Sequence, residues 1–99
     1  MCGIIAYIGN CQATPILLDG LKSLEYRGYD SAGIAVLEAE DRISVVKAPG
    51  HVEQLVTAVA KHPLNGHVGL GHTRWATHGA ANEANCHPHM SANGDVAVV

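Results

Sequence analysis

No phenylalanine occurs in these 99 residues, and Trp75 with three tyrosines (Tyr7, Tyr26 and Tyr29) supplies every large aromatic ring. A core must therefore be built from aliphatic side chains. Charge is also sparse, at 15% of residues against about 25% in soluble domains generally. The net charge is −3 and no run of Lys or Arg exists, which removes the basic footprint that nucleic-acid binding needs. No apolar stretch approaches the ~18 residues that would span a bilayer. The opening residues, Met1 to Ile5, lack the positive n-region of a signal peptide. A cytoplasmic protein with no nucleic-acid or membrane partner is expected. Cysteines stand only at positions 2, 11 and 86, an odd count without the spacing of a secreted disulfide framework. The low hydrophobicity and high net charge that mark disorder are absent as well.

What remains is a chain long enough for one small domain, 47% hydrophobic, with its apolar residues in short punctuated segments. Gly3 to Ile8 reads as a strand that Gly9-Asn10 ends. Thr14-Pro15 is a helix-start signal, Thr14 as cap and Pro15 at the first helical position. Leu17, Leu21 and Leu24 follow at helical spacing up to Gly28. Ser31 to Leu37 and Ile43 to Lys47 flank an acidic turn, Glu38 to Asp41, and read as a hairpin. Val52, Leu55, Val56 and Val59 form an amphipathic helical pattern that His62-Pro63 stops. His67 to His72 is a Gly-rich strand candidate, Thr73 to Gly94 a long polar loop, and Asp95 to Val99 a further apolar strand. Loops of that length are uncommon and usually functional or disordered. The order is strand, helix, hairpin, helix, strand, loop, strand, a mixed α/β pattern.

Three places could carry chemistry. Cys2 reads either as an incidental terminal cysteine or, once Met1 is removed, as a terminal nucleophile. In the second case one residue holds an α-amine of pKa about 7.7–8.0 and a thiol of about 8.5, a base and a nucleophile together. Gly3 would then let substrate approach the backbone closely. The stretch His72 to Gly79 offers Arg74 as a planar fork for a carboxylate, Thr77 and His78 as hydrogen-bonding groups, and Trp75 as a wall or lid. The same stretch reads alternatively as a surface loop with Trp75 anchored in the core. Five of the seven histidines fall between His67 and His89. A metal set of His72, His78, Cys86, His87 and His89 matches no standard zinc spacing, but a small metal-binding module stays open as an alternative. In the third place, Leu24 to Gly33, Arg27 and Asp30 read most simply as a structural pair.

These segments carry a resemblance. Cys2-Gly3-Ile4-Ile5 at the start, LEYRGYDSAGIA at 24–35, GHTRWATHG at 71–79 and NCHPH at 85–89 occur in that order. Together they resemble the glutaminase domain of the isomerising glutamine–fructose-6-phosphate aminotransferases, along nearly the whole chain. The start motif is common to class-II glutamine amidotransferases, and another member of that class is the runner-up; the second and third motifs look specific. The resemblance implies an α+β fold, the αββα sandwich of N-terminal-nucleophile hydrolases, with only its N-terminal part within residues 1–99. It implies Cys2 as the catalytic nucleophile on glutamine, with no cofactor and no metal. Arg74, Trp75, Thr77 and His78 would bind the substrate, with Arg27 and Gly3 in support. Ammonia would pass to a separate isomerase domain that acts on fructose 6-phosphate, in a full-length enzyme expected to be a homo-oligomer. Ala6, His51 and Cys86 depart from the family pattern, where Gly, Lys and Ala are common. The family's Asn-Gly oxyanion pair, its amine-recognising Asp and the isomerase domains are not among these residues. By themselves the 99 residues are therefore expected to be inactive and poorly folded.

Overall fold

The apolar runs become strands of one antiparallel sheet. A computed structural model describes residues 2–75 and 86–99. In it β1 (Gly3–Ile8), β2 (Ser31–Leu37), β3 (Ile43–Pro49) and β4 (Val68–Arg74) pair in the order β1-β4-β2-β3. The expected hairpin forms between β2 and β3, from Ser31↔Pro49 to Leu37↔Ile43. The last of the four in sequence, β4, lies in the middle and pairs with both β1 and β2. Its Gly69 and Gly71 leave room for Leu17 and Leu21 to rest on the sheet.

Two helices cover one face. The first, α1 (Ala13–Leu24), buries Ala13, Leu17 and Leu21, and the second, α2 (Val52–Lys61), buries Val52, Leu55 and Val59. These residues meet Ala32, Ile34, Val36, Val46 and Ala48 of β2 and β3 in a single core. Each fully buried leucine contributes about 1.5–3 kcal/mol of transfer free energy, so aliphatic packing substitutes for the missing aromatic core. The opposite face is only partly covered. Gly33 admits the His87–Pro88 backbone there, and β5 (His89–Met90) pairs with β6 (Ala97–Val98) as a second, two-stranded sheet. Asp95, Val96 and Ala97 border an open apolar cavity with Ala6, Ala35 and Leu70, and Ile8 on that face is 81% exposed. One helical layer, one sheet and the beginning of a second sheet agree with the αββα expectation.

Several boundaries differ from the sequence expectation. Thr14 does not cap α1: Gln12 occupies that position without a side-chain bond to the helix. The Thr14 hydroxyl instead donates to the Leu64 carbonyl at 2.8 Å, tying the helix to the segment before β4. Helix α1 ends at Leu24, and a 3-10 turn, Glu25–Arg27, leads to Gly28. The strand expected to stop at His72 continues to Arg74, because β1 and β2 offer paired edges that far. The long loop contains β5, and the final strand is shorter, Ala97–Val98. At the β2–β3 turn the Glu38 carboxylate accepts from the Ser44 hydroxyl, from Asn65 N–H at 3.1 Å and from Arg42 at 3.5 Å. Those bonds, Ser44 foremost, hold its pKa below the usual carboxylate value.

Candidate active site

Strand alternation decides which side chains meet. Gly3 of β1 and Thr73 of β4 are register partners that face the helices; a Cβ on Gly3 would lie 2.8 Å from the Thr73 hydroxyl and 2.9 Å from Leu24. The glycine after Cys2 is thus required by packing inside the chain, whatever its value to a substrate. Continuing the same register by one residue sets Cys2 beside Arg74 on the other face, the one turned away from the helices.

Cys2 is exposed at the start of β1. Trp75 N–H points at its Sγ across 3.5 Å, and Sγ lies 4.0 Å from the Trp75 carbonyl oxygen. Arg27 Nε donates to the Cys2 carbonyl at 3.0 Å, so the turn after α1 fixes the backbone of the thiol-bearing residue. Gly28 lies directly against the strand end: a Cβ there would fall 2.5 Å from the Arg74 carbonyl carbon and 2.8 Å from Trp75 N. Asp30 N–H donates to the Arg74 carbonyl at 3.1 Å. Arg74 itself is only 7% exposed. Trp75 is 44% exposed, so it stands at the rim and is not a core anchor. Thr77 and His78, expected beside Arg74, lie outside the described residues.

Behind Arg74 sits a column of imidazoles that the sequence showed only as a cluster of letters. His72 stacks on His87 with ring centroids 4.2 Å apart, and His87 meets His89 at 4.4 Å. Burial pushes His72 down to about 4, with the charges of His87, Arg74 and His89 adding to the effect. His87 is lowered for the same reason, burial first, then His89, Arg74 and Lys47. The His72 and His87 rings are therefore neutral near pH 7, and the Arg74 guanidinium is a cation that acts on both. Among the described residues no group of three or more His, Cys, Asp or Glu is placed to hold a metal; His72 and His87 meet ring face to ring face. Cys86 is fully buried. No helix among the described residues is long and apolar enough to cross a membrane.

Tyr29 and His51 also reach this rim, and the sequence reading gave them no part in the site. Tyr29 contacts Trp75, and His51 stacks on Tyr29. Their only signal was position: Tyr29 follows Gly28, and His51 departs from the family pattern.

An exposed thiol at the head of a strand, 3.5 Å from a backbone N–H, is suited to nucleophilic attack. No family model matches the chain. Over all 99 residues it is 57% identical to the glutamine–fructose-6-phosphate aminotransferase (isomerising) of Caldanaerobacter subterraneus. It is 56% identical to that of Thermus thermophilus and 52% identical to that of Idiomarina loihiensis. The chain spans 16% of the length of each of these relatives. Among solved structures it resembles the glutamine phosphoribosylpyrophosphate amidotransferase of B. subtilis, an N-terminal-nucleophile hydrolase fold. The TM-score is 0.75 at 26% identity, over 94% of this chain and 20% of that one. By sequence along its whole length and by fold, the chain belongs with the amino-terminal part of the isomerising glutamine–fructose-6-phosphate aminotransferases.

Proposed function

We propose that residues 1–99 are part of a glutaminase domain that releases ammonia from glutamine through Cys2. The observation that carries this reading is the placement of the Cys2 thiol, exposed at the start of β1 and 3.5 Å from Trp75 N. Removal of Met1 frees the Cys2 α-amine. That amine takes the thiol proton, since the two groups have similar ordinary pKa values, about 7.7–8.0 and 8.5. The thiolate then adds to the side-chain amide carbon of glutamine. The C–N bond breaks as the ammonium proton passes to the leaving nitrogen, and ammonia departs from a γ-glutamyl thioester. Water adds to the thioester, the C–S bond breaks, and glutamate leaves with the thiol restored.

Arg74 pairs with the substrate α-carboxylate through its planar fork. Thr77 and His78 are assigned beside it by resemblance alone, and Trp75 forms a wall of the pocket. Arg27 supports the site by holding the Cys2 carbonyl, and Gly3 lets β1 lie close to Leu24 and Thr73. The scheme requires neither metal nor cofactor. In the full-length protein the ammonia would pass to an isomerase domain and convert fructose 6-phosphate to glucosamine 6-phosphate. The same reading assigns that protein to the cytoplasm as a homo-oligomer without nucleic-acid or membrane partners, in keeping with the absence of a basic run.

The test uses the full-length protein. Mass spectrometry should find Met1 removed, and a glutamine-mimicking electrophile should label Cys2 ahead of Cys11 and Cys86. Cys2→Ala should abolish glutamine hydrolysis. Full retention of Met1, or equal labelling of all three thiols, removes the case for a terminal nucleophile.

A further inference from the structure

Trp75 is held at the rim by a chain of side chains that the proposed chemistry does not use. Tyr29 meets the Trp75 ring at a centroid distance of 5.6 Å and an angle of 59°. Tyr29 in turn stacks on His51, 5.5 Å away and 13° from parallel. His51 Nδ1 lies 3.5 Å from Glu25 Oε2, and that same oxygen accepts the Val52 N–H at 2.7 Å. The chain therefore starts on the first turn of α2, where no side chain of α2's own cap position bonds the helix. It ends on the indole whose backbone N–H faces the Cys2 thiol.

Tyr29 and His51 are both exposed, so neither is placed by core packing. An exposed ring with no neighbour moves among rotamers, whereas one between two rings is confined. Glu25 is committed to the N-terminus of α2 and so gives His51 a fixed partner. We propose that Tyr29 and His51 are positioning residues for glutamine hydrolysis, fixing the Trp75 side chain at the rim of the Cys2 site through stacked rings anchored on Glu25. The hydrolysis named here rests on the glutaminase reading of Cys2; the ring positioning is a separate claim about Trp75.

The test uses the full-length protein that carries this chain. Cys2 labelling by a diazoketone analogue of glutamine is compared with labelling by iodoacetamide, which needs no amino-acid pocket. In His51→Ala the analogue rate should fall, and the KM for glutamine rise, by about two- to tenfold, the worth of one aromatic pair. The iodoacetamide rate and kcat should stay unchanged. His51→Phe, which keeps a ring for Tyr29 to stack on, should restore both values. The part of the tryptophan emission that Trp75→Phe removes should shift in His51→Ala and return in His51→Phe. Unchanged analogue labelling and emission in His51→Ala would overturn the proposal. So would failure of His51→Phe to restore them, or an equal fall in both labelling rates, which would report a general disturbance. If the unsubstituted thiol shows no preference for the analogue, the glutaminase reading fails instead, and the Trp75 emission alone decides the ring positioning.

Discussion

Acid should destabilise this fold well before its carboxylates titrate, and His72 is the main cause. The residue is 4% exposed in the middle strand of the sheet, and its folded-state pKa is about 4 against 6.5 for a free histidine. A group with a depressed basic pKa binds fewer protons folded than unfolded, so stability rises with pH wherever only the unfolded chain is protonated. That window runs from about 4 to 6.5. The contribution is complete above it and fully lost below it. The total is on the order of 3 kcal/mol, and about 2 kcal/mol is already lost by pH 5. His87, lowered by the same burial, adds a loss of the same sign. Glu38 works at lower pH: its carboxylate is held below 4.5, so its contribution is present above 4.5 and lost only as pH falls beneath that value. Urea unfolding of the complete domain that carries these residues, followed by far-UV circular dichroism between pH 5 and 7.5, therefore reports the histidines without Glu38. His72→Gln should flatten the pH dependence by about 2 kcal/mol over that range, whatever it does to stability at pH 7.5. A variant that keeps the original slope would refute the assignment.

Other substitutions test the site. Arg74→Ala should raise the KM for glutamine about ten- to a hundredfold, the worth of a charge-assisted hydrogen bond; an unchanged KM would remove Arg74 from carboxylate recognition. Gly28→Ala would put a methyl group 2.5 Å from the Arg74 backbone. It should cut glutamine-analogue labelling of Cys2 at least tenfold while far-UV circular dichroism stays near that of the parent, and normal labelling would show that the strand end can move aside. The 99 residues assayed alone should hydrolyse no glutamine measurably, given the open apolar face around Ile4 and Ile8. Turnover that Cys2→Ala abolishes would contradict this.

The legibility of the fold followed the range of the forces involved. Helical spacing in Leu17, Leu21, Val52, Leu55 and Val59 is a local signal, and each of these residues is buried in the structure. The hairpin was legible because a short acidic turn joins two apolar runs. The end of β4 was not: Thr73 and Arg74 look polar, and only the paired edges of β1 and β2 extend the strand through them. Thr14 looked like a cap because that residue type before proline usually is one, but a carbonyl fifty positions away took its hydroxyl.

The motifs by themselves determined the relationship and the candidate nucleophile, because Cys2, Arg74 and Trp75 are identities that no packing can alter. Which of them meet was decided by tertiary structure. Antiparallel pairing of β1 with β4 brings Cys2 to Trp75, Arg27 reaches the Cys2 carbonyl from the turn after α1, and His72, next but one to Arg74 on β4, stacks on His87. Tyr29, His51 and Glu25 gain a relation to Trp75 only through the packing of α2 beside the turn at 25–27. Sequence specifies local preference at each position, whereas contacts between residues tens of positions apart depend on sheet order and helix placement, which the buried aliphatic core enforces.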